Sequence, residues 1–454
     1  MSLLGADEVR SRFPHPLALL VGGVLLAAAL SYVLPAGKYD RREDPVTGRS
    51  VVVAGTYHAV PPQPVSPFAA IVAIPGGMAD AAAVVFFVFL VGGAFTVVDR
   101  TGALRHGVDG LVRKLQKREA WVIPIACVAF ATAGALENMQ EEIIALIPVL
   151  LLLTRRAGFD ALTAVAMSAG AAAVGAAFSP INPFQVGIAQ KLASLPLLSG
   201  SGFRLPVLAL AVAFWIWATL RHAARTRRPP EEAPDVAQAS TGPRQAVVLG
   251  LVLVTFVVFV YGVMRLGWDF DQMSALFFVM GVAAGLIAGL GVTATTEAFG
   301  EGFREMSLAA LLIGFARAIY VVLDRGQIID TIVHGLFTPL AGLPLAVSAV
   351  GMVVAHTAIH VPVPSVSGQA VLTMPLLVPL SDLLGLSRQV TILAYQYGAG
   401  LCDLLTPTNG GLMAILATAH VPYERWLRFL MPVYLGLLLL GVAAIVLAIA
   451  IRLG

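Results

Sequence analysis

Charge is what this chain has least of. Only 12% of its 454 residues are Asp, Glu, Lys or Arg, against roughly a quarter in an average soluble protein. A water-soluble body of this length could not cover its surface with so few. Cysteine is nearly absent too. Cys127 and Cys402 both lie inside apolar segments, which excludes a disulfide framework or a thiolate metal site. The net charge of +3 carries no nucleic-acid signal, so no such partner is expected. No G-x-x-x-x-G-K-[ST] run occurs, so ATP is not the chain's own energy source. No cofactor is called for, beyond a coupling ion that would be a proton or sodium.

What is present is apolar. Hydrophobic residues make up 58% and the mean hydropathy is +0.87, far from any disordered composition. Runs long enough to cross a bilayer, or nearly so, recur at about 16–36, 79–98, 205–220, 245–264, 272–292, 306–323 and 430–450. Shorter apolar pieces fall at 120–136, 141–154, 160–178, 184–198, 343–361, 369–384, 388–405 and 411–420. The pattern predicts an all-α polytopic membrane protein. The first run is too long for a signal-peptide core and lacks an A-x-A site, so it reads as a retained span. Segments 37–66 and 221–244 read as an exposed loop and a flexible linker.

Basic residues set the expected orientation. Arg100 to Arg118, Arg155–Arg156 and Arg221 to Arg228 form clusters that the positive-inside rule places in the cytoplasm. The N-terminus is then cytoplasmic and the C-terminus external. Lys38, Arg41, Arg42 and Arg49 fall outside, against the trend.

Residues 148–183 can be laid on 375–410 without a gap, at an offset of 227. Pro148 meets Pro375, Gly158 meets Gly385, Ser179 meets Thr406, Pro180 meets Pro407 and Asn182 meets Asn409. Upstream, VVDRTG resembles VVLDRG, and each precedes an amphipathic stretch (Leu104, Val108, Leu111, Leu115; Ile328, Ile332, Val333, Leu336). Chance matching of apolar helices explains paired leucines better than paired Pro, Gly and Asn. Counting spans makes the halves inverted, the architecture of secondary transporters. The expected organisation is a first repeat at 1–220, a cytoplasmic linker at 221–244, an extra span at 245–264 and a second repeat at 265–454. Each repeat would hold a re-entrant hairpin (120–154, 343–384) and a broken helix (160–198, 388–420).

Two kinds of element could carry chemistry. The first is the pair of breaks, SPINP at 179–183 and TPTNGG at 406–411. Proline and glycine there disfavour continuous helix, and unpaired backbone within a bilayer is tolerable only beside a cavity or ligand. Ser179, Asn182, Thr406, Thr408 and Asn409 can cap the resumed helices or contact solute. An ordinary proline kink is the bland alternative. The second is the pair of tips. Glu137, Asn138, Gln140, Glu141 and Glu142 stand at the first; Ser365, Ser367, Gly368 and Gln369 stand at the second. Carboxylates at a buried tip are costly unless paired, protonated or facing a cation. Asp403 and Glu141 are the candidates for ion coupling. Glu141 and Glu142 could also merely stabilise a helix N-terminus. Arg317 reads as a scaffold residue, and His356 and His360 as packing histidines.

At these residues the sequence resembles the YfcC branch of the four-carbon dicarboxylate anaerobic carrier-like family, within the ion-transporter group. SPINPFQVGIAQ, GFARAI, SGQAVLTMPLL and LTPTNGGLMAI carry the likeness over nearly the whole chain. It implies two inverted repeats, an elevator-like transport domain, a homodimer and a bacterial inner-membrane location. Related symporters use Ser-Asn-Thr at their tips. Here the tips are ENMQEE and PSVSGQ, so that chemistry does not carry over. Some relatives exchange arginine and ornithine; others are named only for dicarboxylates.

The expected function is therefore secondary transport of a small carboxylate-bearing solute, not catalysis. Half-helix N-termini suit a carboxylate and the acidic tip suits an ammonium or guanidinium, which favours a basic amino acid. An ion-coupled four-carbon dicarboxylate carrier is the alternative. A remote one is an intramembrane serine protease using Ser367 with His356 or His360; Ser367 follows Val366 and lacks the glycine of a G-x-S-G site.

Overall fold

The computed structural model describes residues 15–45, 47–104, 119–137, 139–227, 229 and 243–454. It is built almost wholly of helices. The first part holds α1 (Pro16–Val33), α2 (Pro67–Asp80), α3 (Ala82–Arg100), α4 (Val122–Glu137) and α5 (Ile147–Arg156). Then come α6 (Ala161–Ala177), α7 (Ile188–Leu192) and α8 (Ser201–Arg225). The rest comprises α9 (Pro243–Leu266), α10 (Phe270–Ala288), α11 (Gly291–Arg325), α12 (Ile329–Phe337) and α13 (Leu345–His360). It closes with α14 (Val366–Leu384), α15 (Arg388–Cys402), α16 (Gly410–Thr418) and α17 (Tyr423–Ala450). Among the described residues, eight helices are long and apolar enough to cross a membrane: α1, α3, α8, α10, α11, α14, α17 and the stretch Glu119–Leu136. The multi-pass membrane character expected from composition holds.

Three expectations need correction. Residues 37–66 are not a bare exposed loop. They form two antiparallel pairs, β1 (Gly37–Lys38) with β4 (His58–Ala59), and β2 (Arg41–Asp44) with β3 (Arg49–Val52). Tyr39, Val51 and Val52 are buried. Tyr39 N–H donates to Asp330 at 3.0 Å, and the Tyr57 ring stacks on His334 at 4.1 Å. Burial, then the Asp330 carboxylate, pushes the Tyr39 phenol up to about 12, so it stays neutral beside His334. The strands are too short for alternation to register in sequence. The second correction is α2, a 14-residue apolar helix ahead of the expected span at 79–98. It is shorter than a spanning run, which is why length alone passes over it. The third concerns α11, which reaches back to Gly291 and has 35 residues, of which only 306–323 are apolar enough to register as a run. The amphipathic stretch after Leu104 lies outside the described residues, whereas its counterpart at 328–336 is α12.

The interior depends on close backbone approach, as expected where lipid supplies no hydrophobic drive between helices. α4 crosses α6 at Gly134 and Gly175. A Cβ at either glycine would stand 2.0 Å from a backbone oxygen of the facing helix, Ala172 O or Ala131 O. α6 contains a π-helical turn at Ala166–Gly170, and the Trp215 indole donates to the Ala166 carbonyl there at 2.8 Å. α11 is the central strut, packed on α1, α2, α3 and α16.

Candidate functional site

The first break occupies 178–182 between α6 and a π-helical turn at Pro183–Gly187. Its polar groups are matched internally. Ser179 Oγ accepts from the N–H groups of Ile181 and Asn182 and donates to Ala135 O at 2.7 Å. Asn182 Oδ1 caps the next turn, accepting from Phe184 N and Gln185 N at 2.9 Å each. Asn182 Nδ2 donates to Gly134 O at 2.9 Å, and Gln396 Nε2 donates to Ser179 O at 2.7 Å. Ser179 and Asn182 are fully buried.

The second break occupies 403–409 between α15 and α16. Asn409 Oδ1 caps α16 through Leu412 N at 3.0 Å. Thr406 and Thr408 pair through their hydroxyls at 2.7 Å, and Thr408 donates onward to Val361 O. Here the match with the first break ends. Asn409 Nδ2 donates to Asp403 Oδ1 at 2.8 Å and to Gln140 Oε1 at 3.1 Å. Gln140 Nε2 donates to Asp403 Oδ2 at 2.7 Å. His360 Nε2 meets Asp403 Oδ1 at 2.8 Å, and His360 Nδ1 meets Gln369 Oε1 at 3.0 Å. Gln369 Nε2 lies 2.9 Å from both Nδ1 and O of His356. Six side chains from three distant stretches of sequence thus form one buried polar chain, with both histidines and Gln369 at 0% exposure.

That chain ends at a cavity of about 340 Å³. Gln140, Glu141 and Glu142 line one wall and Pro364 to Ser367 the other, with Asp403, Phe184 and Phe270 completing it. Neither Lys nor Arg is among these lining residues. Ser365 caps α14 by accepting from Gly368 N at 3.2 Å, so the positive end of a 19-residue helix borders the same space. A second cleft of about 520 Å³ shares Pro364 and Ser365 and runs out beneath the β pairs, past Arg41, Arg317 and Asp330.

The expected site residues are thus divided. Glu141, Glu142, Ser365, Ser367 and Asp403 line the cavity. Asn409 and Gln369 support it through the polar chain, while Thr406 and Thr408 close the second break. Ser179 and Asn182 are sealed inside the first break and do not line the cavity. Glu137 is the last residue of α4, and Asn138 lies outside the described residues. Pro183 and Gly410–Gly411 already belong to the resumed helical turns rather than to the breaks. Arg317 pairs with Asp80, lies over the Tyr320 ring and borders the second cleft. His356 and His360 are fully buried and hydrogen-bonded within the polar chain. Their spacing of four puts them on one face of α13, and this was the one available signal. Their ring nitrogens engage Gln369 and Asp403 rather than Ser367.

A helical body with eight membrane-length segments and an acidic, solute-sized space between interrupted helices is a multi-pass membrane protein built to handle a small polar molecule. The chain belongs to the C4-dicarboxylate anaerobic carrier family, whose model matches residues 13–450, and is a membrane transporter of that type. It is 34% identical to "Putative basic amino acid antiporter YfcC" of Escherichia coli (strain K12), over 77% of this chain and 74% of that one. A protein of Haemophilus influenzae, described as uncharacterized, is 29% identical over 97% of each chain. Among solved structures, the YdaH transporter of Alcanivorax borkumensis aligns over 96% of this chain and 99% of its own. That match has 18% identity and a TM-score of 0.44. MtrF of Neisseria gonorrhoeae aligns over 96% and 95%, at 16% identity and a TM-score of 0.39.

Proposed function

We propose that this chain is a secondary transporter of the inner membrane that exchanges a basic amino acid. The observation that carries the reading is the charge of the cavity. Glu141, Glu142 and Asp403 line it with no Lys or Arg, and the N-terminal turn of α14 borders it. Acidic groups receive an ammonium or guanidinium, and helix N–H groups receive a carboxylate. Phe184 and Phe270 offer an apolar wall to the aliphatic stem between them. The name of the Escherichia coli relative agrees with this cargo. Equivalent breaks at an offset of 227, tied to Gly134 O and Val361 O, support two inverted repeats working as an elevator. A homodimer with a cytoplasmic N-terminus and an external C-terminus belongs to the same reading.

The test is binding and uptake by purified protein in liposomes, with arginine, ornithine, succinate and malate in parallel. Glu137, Glu141 and Glu142 are replaced singly by Gln, which keeps shape and removes charge. Arginine affinity should fall about tenfold, roughly 1.4 kcal/mol, in Glu141→Gln or Glu142→Gln. It should also weaken as pH falls, because protonation cancels the same charges. Arginine binding that survives all three changes would sink the reading. The family description favours the dicarboxylate alternative. It takes over if succinate or malate uptake is lost in those variants while arginine is ignored, with a driving force that grows as external pH falls.

A further inference from the structure

We propose that the coupling ion is a proton, and that His360 and Asp403 hold it between them; this rests on the transporter reading of the cavity. The argument starts at Gln369. Its two N–H groups lie against the His356 carbonyl and His356 Nδ1, both at 2.9 Å. A carbonyl oxygen can only accept, so the amide nitrogen must face it. The amide oxygen therefore faces His360, and His360 Nδ1 must carry a hydrogen to donate at 3.0 Å. The other nitrogen, His360 Nε2, is 2.8 Å from Asp403 Oδ1. A neutral imidazole with its hydrogen on Nδ1 would point a lone pair at a carboxylate. One further proton is needed, either on Nε2 or on Asp403. Asp403 Oδ1 also accepts from Asn409 and Oδ2 accepts from Gln140, and neither of those amides can release a proton at ordinary pH. The surrounding hydrogen bonds thus specify a pair that is uncharged when loaded and carries one negative charge when empty.

The setting gives that proton a task. Asp403 faces the cavity together with Glu141 and Glu142. The other titratable neighbours are Tyr395, whose ring lies against His356, and Cys402, whose thiol points to Thr357 O. His356 accepts through Nδ1, so its hydrogen sits on Nε2, which is buried and has no partner among the described residues. A cationic solute beside Asp403 supplies the positive charge that the proton otherwise supplies. The two then compete, and loading one releases the other, which is the minimal device for exchanging a cation against a proton. The balance is simple: one proton leaves the pair for each cation that enters, and no bond to carbon changes.

Two measurements test this. In the first, heats of arginine binding in buffers of different ionisation enthalpy count the protons released. The wild type should release up to about one proton per arginine. His360→Gln should still bind arginine but with that count near zero, a change a purely structural role would not produce, whereas Asp403→Asn, which removes a cavity carboxylate, should lose proton release and weaken arginine together. An unchanged count in both variants, or a sodium requirement with no proton released, would overturn the proposal. The second needs no solute. At about pH 8, well above the ordinary imidazole value of ~6.5, infrared and histidine-nitrogen resonance spectra should show one protonated carboxyl or one doubly protonated imidazole. That signal should vanish in Asp403→Asn or His360→Gln. If arginine does not bind at all, the substrate reading fails and this measurement still decides the proton. Absence of both signals in the wild type overturns it.

Discussion

Asn182 and Asn409 stand at the same place in two joints of the chain, 227 residues apart. Each caps the helical turn that follows, and each joint is tied to a carbonyl at equivalent positions, Gly134 and Val361. The surroundings then diverge. Asn182 spends its amide nitrogen on backbone and is sealed, whereas Asn409 spends it on Asp403 and Gln140. At the same offset, Asp403, His360 and His356 correspond to Ala176, Ala133 and Ala129. On the reading proposed above, two matching joints serve as a rigid clasp in one half and a polar switch in the other. Symmetry of backbone does not impose symmetry of chemistry, because the chemistry resides in side chains that can differ without changing the break.

The largest effect expected from this contrast is on folding of the first half. Gly134→Ala or Gly175→Ala drives a Cβ to 2.0 Å from backbone oxygen, which neither helix can relieve by a rotamer change. We expect about 3 kcal/mol or more of destabilisation, seen as loss of monodisperse protein in detergent. Gly398→Ala, where the gap to Val353 O is 2.5 Å, should be milder. Equal losses would show that the first half is no tighter than the second.

The two asparagines give the next test. Asn182→Ala removes a cap and leaves Gly134 O without its partner, costing about 2 kcal/mol. Its melting temperature should fall while arginine affinity stays put. Asn409→Ala should do the reverse, weakening arginine about tenfold with a smaller drop in melting temperature. The same response from both would collapse the distinction between clasp and switch.

A third test uses the caps that open α6 and α15. Asp160 and Ser387 are equivalent, but Asp160 also binds His222 at 3.1 Å and Arg425 at 2.7 Å. Burial raises the Asp160 carboxyl, and hydrogen bonds from His222 and Thr163 outweigh it, leaving it well below the usual carboxylate range. A depressed value means stability that is complete above the unfolded value of ~3.9 and is lost as pH falls toward the folded one. Melting temperature should therefore drop on acidification below about pH 4, and Asp160→Asn should flatten that slope. The smallest effect is Ser387→Ala, about 1 kcal/mol from the lost cap, with the same size at every pH. A pH-dependent Ser387→Ala would show that the two caps are not so different.

Much of this was legible in the sequence. Pro180, Pro183, Pro407 and the paired asparagines mark the breaks because those residues act on the backbone locally. Glu141, Glu142 and Asp403 stand out because charge is scarce. The polar chain was not legible. His356, Gln369 and Asp403 meet only through packing of α13, α14 and α15, and no local spacing encodes which faces of three helices will turn together. Gln140 was visible at the first tip, but nothing in its spacing indicated that it links that tip to the second break. The strands at 37–66 escaped because two to four residues cannot display a period.

The long helix α11 carries a consequence of another kind. At 1.5 Å per residue its 35 residues extend about 52 Å, against a hydrocarbon thickness of about 30 Å. Only 306–323 of it is apolar, about 27 Å, while the stretch before it carries Glu297, Glu301, Arg304 and Glu305, so a thinner or thicker bilayer acts on that apolar part, in part by changing its lean. The rod touches the start of α16, where a Cβ at Gly410 would stand 2.9 Å from Ile313 Cα. Any lean is therefore felt at the second break. Turnover is therefore expected to depend on the acyl-chain length of the host lipid, which uptake in liposomes of graded thickness measures.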